Sequence, residues 1–153
     1  MNQNDPEILD RLEARFPGTL ERITTVDQPT ILVPKDMILA LFEHVKNTEG
    51  YTMCLDVAAV DNFPAQPRFE LVYHLYHPTK YARLRVKSRV GVDEEMPSAT
   101  GLWPGTNWPE REVFDLFGVR FTGHPQMTRI YLPEDWEGHP LRKDYPLTGN
   151  RVD

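Results

Sequence analysis

The chain has 153 residues and a formal net charge of −6, with 17 Lys and Arg against 23 Asp and Glu. That fits one domain large enough to bury a real core, and it argues against generic nucleic-acid binding, which draws on a basic surplus. The single cysteine, Cys54, excludes an intramolecular disulfide and an iron–sulfur cluster held by this chain alone, since a cluster takes four thiolates. The N-terminus MNQNDPEILDRLEARF has no basic region followed by an apolar run, and its acids are unlike a mitochondrial transit peptide. No apolar stretch approaches the ~20 residues that span a bilayer. The expectation is a cytosolic protein, or a subunit of something larger.

In chain order, Asp5-Pro6 reads as a helix start. Ile8, Leu9, Leu12 and Phe16 follow at helical spacing, and Pro17-Gly18 stops the helix. Residues 19–26 and 30–33 read as short strands. A second helix, about Lys35 to Asn47, sets Met37, Ile38, Leu41, Phe42 and Val45 on one face. The period then changes to two, and 51–60, 68–77 and 81–90 read as three consecutive strands. Helices followed by an antiparallel meander indicate an α+β fold: an antiparallel-rich sheet with helices packed on one face and the other face free.

After Val90 the stretch GVDEEMPSATGLWPGTNWPEREVFDLFG suggests two short helices interrupted by Pro104-Gly105. From Gly123 on no period survives, and Pro125, Pro133, Pro140 and Pro146 recur too often for a helix. This divides the chain into an α+β domain, 1–121, and an extended C-terminal tail, 122–153. FTGHP at 121–125 is echoed by WEGHP at 136–140. The echo reads as turn chemistry or as shared ligation by His124 and His139.

Strand 81–90 alternates cleanly. Ala82, Leu84, Val86, Ser88 and Val90 share one face, and Arg83, Arg85, Lys87 and Arg89 share the other. The cations form either a solvated outer face or a docking patch for an acidic partner or nucleic acid. No aromatic lies within the run itself, whereas RNA-binding sheets interleave them for base stacking. In the following helix, NWPE fits a capping box, with Asn107 as cap and Glu110 reaching back. The alternative makes Glu110 a buried partner of some cation, because it falls inside the stripe of Val113, Phe114, Leu116 and Phe117. Arg111 and Asp115, four apart, are placed to pair, and Gly118 is a stop. The spacing of His124, Glu137, His139 and Asp144 matches no zinc pattern, and no phosphate loop or serine elbow is present, so no independent active site is expected.

EREVFDLFGVRFTGHP, Glu110 to Pro125, resembles the signature of the 30 kDa (C-type) subunit family of proton-pumping NADH-quinone oxidoreductase, respiratory complex I. EGHPLRKDYPL, Glu137 to Leu147, resembles the same family's second hallmark, in the same order. The chain departs where the family commonly has Trp at the place of Phe114 and a second basic residue at the place of Thr128. The resemblance implies a scaffold subunit of the peripheral arm, on the cytoplasmic side of a bacterial plasma membrane. It would pack beside the subunits that house the terminal iron–sulfur cluster and the quinone pocket. It also implies no cofactor in this chain, with FMN and iron–sulfur clusters on partner subunits carrying electrons from NADH to quinone, coupled to proton translocation. An equivalent subunit of a related energy-converting complex, of the membrane-bound hydrogenase type, is the alternative within the family. A nucleic-acid-binding α+β domain is the alternative outside it.

On this reading the tail is a strap laid across a neighbouring subunit. Trp136, Leu141, Tyr145 and Leu147 would anchor it, because aromatic residues dominate interface hot spots. Arg142, Lys143 and Asp144 would set its register by charge pairing. Glu110, Arg111, Asp115, His124, Arg129 and His139 complete the expected partner interface, with Arg83, Arg85, Lys87 and Arg89 as a possible cationic docking face. The competing expectation is a tail folded back on its own domain.

Overall fold

The structure, a computed structural model, describes residues 4–146. Helix α1 (Ile8–Arg15) is entered through an Asp turn, in which the Asp5 carboxylate accepts the Glu7 amide at 3.0 Å. Short strands β1 (Glu21–Ile23) and β2 (Thr30–Leu32) follow, then a 3-10 turn (Lys35–Met37) that opens α2 (Ile38–Asn47). The meander is β3 (Met53–Asp61), β4 (Phe69–His77) and β5 (Ala82–Val90).

The main sheet has the order β1-β2-β5-β4-β3 and is antiparallel except for the parallel β2–β5 pair. Its registers align Ile31, Val86, Tyr73 and Val57 in one row across the sheet. All four are buried, as are Leu84, Leu75, Phe69 and Leu71 in neighbouring rows. Ile8 and Leu12 of α1 and Ile38, Leu41, Phe42 and Val45 of α2 complete this core from above. Full burial of such side chains is worth about 1.5–3 kcal/mol each. The Phe42 ring meets Tyr73 and Trp103 edge-on, with centroids 4.8 and 5.1 Å apart. Ser88, the one polar residue on the buried side of β5, donates its hydroxyl to Val33 O at 2.8 Å. The opposite sheet face carries the alternating cations and has no helix on it among the described residues.

Between Val90 and Pro104 the expected helix is absent. Met96 and its neighbours instead form β6 (Glu95–Pro97), which pairs in parallel with β7 (Arg120–Thr122), Met96 opposite Phe121. The short stretch around Met96 has no helical spacing to exploit, and the buried Met96 and Phe121 gain more from pairing. A 3-10 turn (Pro104–Thr106) then leads into α3 (Asn107–Phe117). The Ser98 amide bonds Thr122 O at 2.8 Å, which carries the β6–β7 pairing one residue further. No helix among the described residues is long and apolar enough to cross a membrane.

Candidate functional site

A helix ends with four carbonyls that its own backbone cannot satisfy. In α3 all four are closed by residues that follow it. Gly118, with φ +82°, gives its amide to Phe114 O at 2.8 Å. Asp115 O receives Arg129 Nη1 at 3.1 Å and His139 Nδ1 at 3.0 Å. Leu116 O receives the Leu141 amide at 3.0 Å, and Phe117 O receives Arg142 Nε at 2.6 Å. Two guanidinium groups thus lie at the negative end of the helix dipole, where cations are favoured. The tail comes so close at Gly118 that a Cβ there would stand 2.5 Å from Arg142 Nη2 and 2.6 Å from His139 Cδ2.

The side chain of Asp115 extends the clasp. It is fully buried and accepts Arg129 Nη1 at 2.8 Å and the amides of Ile130, Tyr131 and Leu132 at 3.1, 2.8 and 3.2 Å. Burial pushes this carboxyl upward, and Arg129 together with the three amides outweighs it, leaving it below the ordinary aspartate range. Arg129 uses its other terminal nitrogen on Trp136 O and Gly138 O, at 3.0 and 2.9 Å. The expected pairing of Arg111 with Asp115 does not form. Arg111 lies over the Trp108 ring at 4.7 Å and donates to Thr128 O and Oγ1 and to Arg129 O. An exposed pair four residues apart gains only about 0.2–0.5 kcal/mol, which a buried carboxylate with four donors exceeds.

Further along, the tail reaches the end of the meander. Arg68, buried, forks onto both oxygens of buried Asp61 at 2.8 Å each and binds Asp144 at 2.6 Å. The Lys143 amide reaches Asp61 Oδ2 at 2.8 Å. The Arg68 guanidinium, followed by backbone amides, holds the Asp61 carboxyl well below its usual range. Arg142 lies over the Phe69 ring at 5.3 Å, and burial and then Arg68 lower its pKa. Residues 123–146 are therefore laid on this chain's own domain. The strap expectation is corrected for this stretch: the hydrogen bonds and pockets it needs come from α3, β4 and the loop after β3. Leu147, also expected as an anchor, lies outside the described residues.

Glu110 faces the other way. The capping box is absent, since the N-cap position falls to Thr106 with no side-chain cap bond. Glu110 is wholly buried and accepts Ser98 Oγ and the Ala99 amide, just after β6, both at 2.7 Å. Burial raises its pKa to about 7, against these two hydrogen bonds, which favour the ionised form. The nearby His124 ring, 3.9 Å away, accepts the Gln126 amide on Nδ1 at 2.9 Å, so its hydrogen sits on Nε2, 3.1 Å from Asn107 O. The two Gly-His-Pro echoes thus play matching parts. Each follows a left-handed glycine, Gly123 or Gly138, and sends its histidine to a main-chain carbonyl of α3. Those carbonyls are eight residues and about 12 Å apart, too far for the two histidines to share a ligand. No group of three or more His, Cys, Asp or Glu side chains among the described residues is disposed to hold a metal ion.

The four cations of β5 do share one face, with Arg83, Arg85 and Lys87 half-buried and Arg89 exposed. Arg85 is held by Asp27 at 2.7 Å. Trp136 and Tyr145 are half-buried along the tail. Sequence reasoning passed over Asp61, Arg68 and Ser98. Their only signal was a pair of opposite charges flanking a proline loop, and a serine next to an apolar run.

Fold and site together define a two-layer α+β protein whose two motif stretches meet across one helix. The same architecture occurs in a chain of the membrane-bound sulfane sulfur reductase, an archaeal respiratory membrane complex. The TM-score is 0.79 at 29% identity, covering 92% of this chain and 85% of that one. Residues 31–151 match the model of the respiratory-chain NADH dehydrogenase 30 Kd subunit, and the chain belongs to that family. Relatives include the C-type subunit of NADH-quinone oxidoreductase from Roseiflexus sp., 56% identical over 99% of this chain and 90% of its own length. The C-type subunit from Moorella thermoacetica is 46% identical over 91% of this chain and 93% of its length. In Psychrobacter arcticus the similar region, 41% identical, covers 92% of this chain but 25% of a longer protein that joins the C and D types. The chain is thus a 30 kDa-type subunit of NADH-quinone oxidoreductase, part of a multi-subunit respiratory complex.

Proposed function

We propose that this subunit is non-catalytic, a peripheral-arm scaffold on the cytoplasmic side of a bacterial membrane, and that its neighbour is the D-type subunit. FMN and iron–sulfur clusters on other subunits carry electrons from NADH to quinone, and this chain holds its neighbours in place. The observation that carries the reading is the clasp. Asp115 of the first motif and His139 and Arg142 of the second are engaged in fastening the tail to α3, an arrangement that stiffens a surface. The joined C/D-type chain of Psychrobacter arcticus supports the choice of neighbour, because fusion keeps two segments at high effective concentration. Trp108, Tyr131 and Leu141 remain exposed beside the clasp, at 59%, 62% and 53%, and offer apolar contact for that neighbour.

The test is affinity capture of the full chain from detergent-solubilised native membranes, with mass spectrometry and an absorption spectrum. D-type subunit in equal amount, with flavin and cluster absorbance that leaves with the other subunits on dissociation, is the expected result. Stoichiometric flavin or cluster on the separated chain overturns the non-catalytic reading. The match to the sulfane sulfur reductase chain favours one second reading, an equivalent place in a related energy-converting complex. Captured complexes that fail to oxidise NADH would select it.

A further inference from the structure

The open face of the main sheet is amphipathic across its strands. The registers set Arg83 beside Tyr76 and Met53, Lys87 beside Val72 and Ala58, and Arg89 beside Glu70 and Val60. A cationic column on β5 therefore runs next to Tyr76 and Val72 on β4 and Met53, Ala58 and Val60 on β3, interrupted by Glu70 and by the His74–Asp56 row beside Arg85, with strands ~4.8 Å apart. Met53 and Val60 are each 45% exposed on the outermost strand. At one end of the column, Leu32, Val33, Pro34 and Arg89 line a cleft of about 300 Å³ with Leu20.

Three of the four charges in this column differ from most other cations of the chain. Arg11, Arg22, Lys35, Arg68, Lys80, Arg85 and Arg129 each meet a carboxylate. Lys46, Arg111 and Arg142 donate to main-chain carbonyls instead. Among the described residues Arg83, Lys87 and Arg89 meet no carboxylate, although the chain as a whole carries a net charge of −6. Arg83 Nε is buried with no hydrogen-bond partner and its guanidinium lies 6.0 Å from the Tyr76 ring centroid. Glu70 stands across from Arg89 without closing an ion pair. A chain rich in acids has left three cations of this column without a carboxylate, on the sheet face that carries no helix among the described residues.

We infer that this face docks a helix of a partner subunit, one with an acidic stripe over β5 and an apolar stripe over β4 and β3. An antiparallel sheet can leave one face to water, but cations without a carboxylate beside exposed apolar side chains suit a partner surface of complementary charge. Cations at alternate strand positions recur every ~7 Å, and acids four apart on a helix recur every ~6 Å, so two or three pairs stay in step. A helix ~10 Å across covers the strands from β5 to β3. The inference rests on the chain being a complex subunit, and it names a surface distinct from the clasp.

The experiment places a photo-crosslinking benzophenone amino acid at Lys87 or at Ala58 in the full chain. The assembled complex is then purified, irradiated and mapped by mass spectrometry. Both positions should link to one helical segment of one other subunit, bearing Asp or Glu near the Lys87 adduct and apolar residues near the Ala58 adduct. The double change Lys87→Glu and Arg89→Glu should release at least tenfold more chain in a salt wash, while circular dichroism of the isolated variant stays native. Retention of the chain without any crosslink from either position overturns the inference and leaves the subunit assignment standing. Adducts with nucleic acid, with a second copy of this chain, or with a basic or strand segment also overturn it. Failure of the unmodified chain to copurify with other subunits sinks both readings.

Discussion

Asp115→Asn keeps the shape of the side chain and removes its charge. In the native fold the carboxylate holds Arg129 and three successive amides, and its exposure is 0%. Hydrogen bonds to a charged group contribute ~1.5–3 kcal/mol each, but they share one acceptor and do not add. Leaving Arg129 without its counter-charge in a buried site costs about 3–5 kcal/mol. Taking ~3 kcal/mol as the outcome, and 1.36 kcal/mol per tenfold, protection of the Ile130, Tyr131 and Leu132 amides should fall by roughly a hundredfold. Hydrogen exchange of the isolated chain near pH 7, read residue by residue by NMR, measures this directly. Adding Arg129→Met should cost little more, because the cation stranded by the first change is then gone. A drop in protection below about threefold, or fully additive losses in the double variant, would show that the carboxylate does not organise the clasp.

The raised Glu110 carboxyl makes stability depend on pH in a predictable direction. Its folded pKa, about 7, lies above the ordinary value of 4.5, so the folded state holds the proton more firmly. Its contribution is complete below pH 4.5 and is lost as pH rises through 7, a fall of ~3 kcal/mol at 1.36 kcal/mol per pKa unit. Urea titrations at pH 5 and pH 7.5 should show Glu110→Gln gaining on the natural chain at the higher pH; an equal gap at both values counts against the burial argument. Gly118→Ala should lower Tm by roughly 5 °C, since a side chain in the left-handed region costs ~1–2 kcal/mol and its Cβ would stand 2.5 Å from Arg142 Nη2. An unchanged melt would mean the tail does not press on this glycine. Deleting residues 127–153 should fray α3 and lower its helical signal, because the Asp115, Leu116 and Phe117 carbonyls lose their donors. Helical circular dichroism equal to that of the full chain would show the clasp to be dispensable for the domain.

The elements that repeat a pattern are legible in the sequence. Alternation along 82–90 needs only the two-residue period of a strand, and it places Leu84 and Val86 inward and Arg83 and Lys87 outward, as they are found. The stripe Ile38, Leu41, Phe42 and Val45 needs only the helical period, and all four are buried in α2. The two motif stretches, read as marks of a family, fall within the match over residues 31–151. These features are local, carried by residues within one or two turns of each other. What only the tertiary structure decided are the partners of groups far apart in the chain. Asp61 meets Lys143 across 82 positions, Arg68 meets Asp144 across 76, and Asp115 meets Arg129 rather than its helical neighbour Arg111. A helix end demands donors for its last carbonyls, but that demand does not say which segment supplies them. The sequence determined that 137–146 would be irregular; packing against α3 decided that its irregular backbone is held by the helix it follows.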